Sequence, residues 1–114
     1  MFTAWKHAMI NIEEFRKLEL RVGVVKSAEA HPKADRLIVL KVDLGAEERQ
    51  IVAGIRAHYQ PEELVGKQIV VVANLEPAVL RGVESQGMLL AANDGEHVVV
   101  LSPEKVVGPG AKVS

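Results

Sequence analysis

The chain has 114 residues, of which 48% are hydrophobic and 25% charged, enough for one core and too few for two domains. It has no cysteine, which excludes disulfides, thiolate metal sites and a cysteine nucleophile, and no apolar run approaches the ~20 residues of a membrane helix, so a cytoplasmic setting is expected. The net charge of −1 excludes a binder driven by gross basic charge, although residues 1–60 hold ten Lys/Arg against eight Asp/Glu and residues 61–114 hold four against seven.

Residues 1–11 read as an N-terminal extension. Lys6 and His7 interrupt it, so it lacks the apolar stretch of a secretory signal. Phe2, Trp5, Met9 and Ile10 make it a candidate dimer contact. Asn11 opens the first element, and Glu14 three residues later completes a capping-box pattern. Ile12, Phe15 and Leu18 share one helical face, predicting a short helix over 12–18 that plugs one end of a barrel.

Alternation predicts a long strand over 20–30, with Gly23 at a bend. His31-Pro32-Lys33-Ala34-Asp35 is a loop. A second strand is expected over 36–44, a turn at 45–48 and a third strand over 49–54, paired as a hairpin. Pro61 at a helix start and Gly66 just past its end predict a short helix over 61–65. Residues 67–73 read as an apolar strand buried on both faces, residues 74–84 as a loop and 87–92 as a fifth strand. Asn93-Asp94-Gly95 is a hairpin turn leading to a strand over 97–101. Residues 102–110 read as loop, and 112–114 are expected to return to the sheet. Three strands, a short helix and further short strands predict an all-β chain. The fold class is an OB-fold, a five-stranded Greek-key barrel with short flanking helices, over residues 1–114 as one domain.

The residues offer no catalytic site. His7, His31, His58 and His97 lack metal-cluster spacing, and His31, in a loop beside Pro32, reads as a solvated turn residue. The Glu84-Ser85-Gln86-Gly87 stretch is no nucleophile elbow, and Pro109 removes a donor from the only Gly-rich turn. The adjacent acidic pairs lie at helix starts or turns, where acids complement a dipole or solvate a surface. No metal, cofactor or catalytic residue is therefore assigned.

Several separate motifs carry a likeness. They are Phe15-x-Lys17-x-Glu19-Leu20-Arg21-Val22-Gly23, then Ala28-Glu29-x-His31-Pro32-x-Ala34-Asp35-Arg36-Leu37, Val42-Asp43-x-Gly45 and Ile51-Val52-Ala53-Gly54-Ile55. Tyr59-x-Pro61-Glu62-Glu63-Leu64-x-Gly66-Lys67, Val72-Ala73-Asn74-Leu75-x-Pro77 and Arg81-Gly82-x-x-Ser85-Gln86-Gly87-Met88 follow. In number and order, from Ile12 to the end, they resemble the tRNA-binding domain family. That domain is found in stand-alone bacterial proteins, appended to methionyl-tRNA synthetases, and in related eukaryotic synthetase cofactors.

The resemblance implies an OB barrel that binds tRNA by shape and backbone, without catalysis. It implies a homodimer, acting in trans or as an accessory domain of methionyl-tRNA synthetase. A related branch consists of secretion chaperones for unfolded polypeptides on the same fold, the alternative reading. That branch departs at His-Pro-x-Ala-Asp and Ser-Gln-Gly-Met, both kept here. The Met1 start and the lack of a linker lean toward the stand-alone form.

The tRNA-binding candidates are Lys33 and Arg36 before the second strand, Arg21 on the first, and Asn74, Arg81, Ser85, Gln86 and Met88. Lys33, Arg36 and Arg81 would contact phosphates, unless Asp35 balances the first two. Arg21 would equally pair with an acidic neighbour, and Asn74 would equally cap its own loop. Ser85 and Gln86 would reach the 2′-OH or a base edge. Met88 would pack under an unstacked base, or simply fill core. Only four aromatic residues exist, so phosphate and shape recognition is expected to outweigh base stacking, with a steep salt dependence. Residues 106–113 are a second candidate interface.

Overall fold

The computed structural model describes residues 8–114. Its elements in chain order are α1 (Ile12–Arg16), β1 (Leu20–Ala30), β2 (Ile38–Asp43), β3 (Glu48–Ala53), α2 (Pro61–Leu64) and β4 (Gln68–Val72). There follow β5 (Ala78–Leu80), β6 (Val83–Ser85), β7 (Met88–Leu89), β8 (Ala91–Asn93), β9 (Val98–Val100) and β10 (Lys112–Val113).

The main sheet runs β3-β2-β1-β4-β7, with β10 added to β1. All its pairings are antiparallel. Long β1 is the spine: its first half pairs with β4 and β10, its second half with β2. To bend between these partners it passes so close to β2 that a β-carbon at Gly23 would collide with the Val42 and Leu44 side chains. A register shift between Val25 and Ser27 adds the kink. The five strands curl into a nearly closed barrel, an OB-like all-β fold. Ile38, Leu40, Val42, Ile51, Ile69 and Val71 point inward and are fully buried. Leu64 of α2 closes the core, itself 0% exposed.

Several sequence expectations change in detail. The capping box of α1 forms as expected, with the Glu14 N–H donating to Asn11 at 2.8 Å and the Asn11 N–H to Glu14 at 3.1 Å. The helix is shorter, however, and none of its residues is buried, so it does not plug the barrel. Arg36 and Leu37 turn before β2 begins. The fifth strand is broken at Leu90, whose N–H donates to Val70 while its carbonyl accepts from Leu101. Residues 74–84 are no plain loop: β5 and β6 form a hairpin across Arg81 and Gly82, both at positive φ. Phe2 and Trp5 lie outside the described residues, while Met9 and Ile10 are exposed.

Candidate nucleic-acid interface

One end of the barrel is built from three connections that lock onto each other. His31, expected as a solvated turn residue, is 3% exposed and acts as a rivet. Its Nδ1 accepts the Lys33 N–H at 2.9 Å, which leaves the ring proton on Nε2 for the Leu80 carbonyl at 3.0 Å. This ties the β1–β2 loop to the β5–β6 hairpin. The Arg56 N–H donates to the Arg36 carbonyl at 3.3 Å, tying the segment after β3 to the same loop.

Lys33, Arg36, Arg56 and Arg81 are thereby gathered on one end, all exposed. Among the described residues none forms an ion pair, not even with Asp35, which stands between the first two in sequence. Unpaired cations on a fixed frame are available to an anionic partner without breaking internal bonds. Arg56 was not singled out from the sequence; only the Arg36 link reveals its place.

Beside these loops lies a groove of about 400 Å³, floored by the end of β3 and walled by the hairpin and β7. Met88, 47% exposed, and Leu80 line it, as do Ser85 and Leu75. Among the described residues no aromatic side chain lines the groove. Tyr59 packs on the core, its ring lies 5.3 Å under the Lys67 ammonium, and its hydroxyl accepts from Val100.

Ser85 and Gln86 sit on the seam that completes the barrel. The Ser85 hydroxyl, in a residue 4% exposed, accepts the Val52 N–H at 3.0 Å and donates to the Gly87 carbonyl at 2.9 Å. Gln86 Oε1 accepts the Gln50 N–H at 2.9 Å, and its own N–H donates back to the Gln50 carbonyl at 2.7 Å. These two side chains replace the ladder that β3 and β7 lack. Gly87 is needed beside them: its φ is +147°, and a β-carbon there would stand 2.8 Å from the Val72 carbonyl oxygen.

Arg21 and Asn74 are not brought to the basic end. Arg21 and Lys33 flank opposite ends of β1, a strand of eleven residues and up to about 34 Å. Arg21 pairs with Glu19 at 3.0 Å and donates to the Gly110 carbonyl at 3.2 Å. Asn74 accepts the Glu19 N–H at 2.8 Å and donates to the Lys17 carbonyl at 2.6 Å, clasping the exit of α1. Both line a second cavity of about 680 Å³ with Arg49. The Arg49 guanidinium joins Glu47, the Ala73 carbonyl and the Gln86 carbonyl at 2.6–3.1 Å, knotting three strands. Among the described residues no cluster of His, Asp or Glu is arranged to hold a metal ion, and no helix is long and apolar enough to cross a membrane.

The family model described as "Putative tRNA binding domain" matches residues 20–112. The chain belongs to this tRNA-binding domain family. Over 108 residues it is 57% identical to the methionine–tRNA ligase of Thermococcus kodakarensis, covering 95% of this chain and 15% of that one. The methionine–tRNA ligase of Thermotoga maritima is 57% identical over 105 residues, 92% of this chain and 17% of that one. The chain thus spans about one sixth or less of the length of these relatives.

Among solved structures, the MetRS related protein from Pyrococcus horikoshii has a TM-score of 0.88 at 43% identity, covering 93% of this chain and 98% of that one. The chaperone CsaA from Bacillus anthracis has a TM-score of 0.85 at 37% identity, covering 93% and 99%. In this tRNA-binding domain, then, the candidates divide by place. Lys33, Arg36, Arg81 and Met88 reach solvent at or beside the basic end; Ser85 and Gln86 hold the seam; Arg21 and Asn74 hold the opposite end.

Proposed function

We propose that this domain binds tRNA without catalysis, through Lys33, Arg36, Arg56 and Arg81 on the phosphate backbone, with Met88 and the groove beside them. The observation that carries this reading is the gathering of four unpaired cations on three interlocked loops, in a chain of the tRNA-binding domain family. Ser85, Gln86, Asn74 and Arg21 serve it indirectly, by fixing the barrel that presents the loops. A rigid basic frame without aromatic platforms suits a folded RNA recognised by shape.

The domain works as a homodimer, in trans or as an accessory of methionyl-tRNA synthetase. Two copies double the cationic surface offered to one ligand, which offsets the net charge of −1 on each. Met9, Ile10, Ile12 and Leu18 are exposed around α1, as are Val106 and Val107 before β10, and supply apolar surface for such a contact. The expected setting is cytoplasmic.

A second reading, a chaperone for unfolded polypeptide, draws on the apolar groove and on the likeness to CsaA. Gel shift of mixed tRNA in the presence of unfolded polypeptide separates the two, with sedimentation of the free protein reporting its mass. The expected result is tRNA binding that the polypeptide does not compete away, by a particle twice the chain mass of 12.4 kDa. Binding of the polypeptide alone would reverse the order of the readings.

A further inference from the structure

The groove beside the basic loops carries a polar strip that the contacts described above leave unused. Along an antiparallel strand the backbone groups of alternate residues face the same edge. On the edge of β3 away from β2 these residues are Gln50, Val52 and, one step past the strand, Gly54. Gln50 exchanges both its bonds with Gln86, and the Val52 N–H goes to Ser85. The Val52 carbonyl and the Gly54 N–H come next on that edge. Both residues line the groove, and among the described residues neither group has a hydrogen-bond partner.

We propose that this groove takes one unpaired RNA base, held by its edge to the Val52 carbonyl and the Gly54 N–H and by its face against Met88 and Leu80. The proposal rests on the tRNA-binding reading and adds a subsite to it.

Three features select a base over other occupants. The first is length. The open edge ends at Gln50 on one side and, on the other, at Arg56, whose N–H is already given to Arg36. Two residues span only about 7 Å. That is enough for one acceptor beside one donor, as on a base edge, and too short to register an added peptide strand. The second is charge. Among the described residues the only charged side chain lining the groove is that of Glu76, which repels a phosphate but accepts from an exocyclic amine. The cations stand outside, on the loops, where the flanking phosphates would lie. The third is the wall: Leu80 and Met88 are exposed apolar side chains outside the core cluster. Every base can present one donor beside one acceptor, so the subsite selects unpaired nucleotides and tolerates their sequence.

The test is an amide NMR titration of the full chain with three probes: a single-stranded RNA tetranucleotide, a fully paired RNA duplex, and an extended peptide. The single strand is expected to move the Gly54 amide downfield and saturably. The duplex is expected to move only amides around Lys33, Arg36, Arg56 and Arg81. Leu80→Ala combined with Met88→Ala is expected to weaken the single strand roughly tenfold and to spare the duplex. A silent Gly54 amid responding basic loops would overturn the groove proposal and leave the tRNA reading standing. A response at Gly54 to peptide alone would overturn it in favour of a polypeptide. Loops silent toward both RNAs and toward tRNA would remove both claims.

Discussion

Arg81 has φ +52°, and Gly82 after it +89°. Two central residues at positive φ make the hairpin turn of the type that favours Asn-Gly, because a bulky side chain there costs about 1–2 kcal/mol. An arginine held in such a conformation at a solvent-exposed tip carries backbone strain that no side-chain contact among the described residues offsets, and the proposed phosphate contact would give it a use. Arg81→Asn is therefore expected to raise stability by about 0.5–1 kcal/mol in a thermal melt and to weaken tRNA binding severalfold. Loss of stability with unchanged affinity would contradict the role.

Ser85 is the opposite case. Ser85→Ala leaves the Val52 N–H without its partner, at a cost of about 1–3 kcal/mol by denaturant titration. Its affinity for tRNA below the melting transition is expected to stay near wild type. A stable variant with lost affinity would put the hydroxyl on the RNA. This is where reading single residues ran out. A serine or glutamine has the same donors and acceptors whether its partner is RNA or a backbone thirty-six residues away, as for Gln86 and Gln50. Only the fold says which is nearer.

Elements were legible where local chemistry fixes them. The capping box announced α1, Pro61 and Gly66 bracketed α2, and alternation at Leu20, Arg21 and Val22 opened β1 before its kink broke the pattern. The β5–β6 hairpin was hidden because its strands have three residues each and its turn carries Arg-Gly in place of Asn-Gly. The β8–β9 turn is legible in Asn93-Asp94-Gly95, and its chemistry is testable. The Asp94 carboxylate accepts from the His97 side chain and from the His97 and Glu96 backbone, which holds its pKa at about 2, below the ordinary 3.8. A depressed pKa favours the folded hairpin above pH 4, and the benefit disappears as pH falls through about 2. Carboxyl titration by NMR is expected to show that low midpoint, with amide protection of β8 and β9 declining in step. An ordinary midpoint would mean the turn bonds are not formed in solution.

At the scale of the molecule, the order of strands and helices gave the barrel, but not how it shuts. Closure runs through side chains, Ser85, Gln86 and Arg49, which no periodicity records. The same holds for the interface. Lys33 and Arg36 were visible as a pair, yet their union with Arg81 depends on buried His31, and with Arg56 on one backbone bond. The low aromatic content, by contrast, is legible in the sequence and leads to the expectation of phosphate contact; Tyr59 packs against the core. If the four cations each meet a phosphate, affinity for tRNA falls by about three log units per tenfold rise in salt for each copy engaged. The measurement that tests this most directly is the salt slope of tRNA binding for the wild type beside Arg56→Ala. The account predicts a slope shallower by about one per engaged copy for the variant, with its thermal stability unchanged. An unchanged slope, or a flat salt response in the wild type, would contradict it.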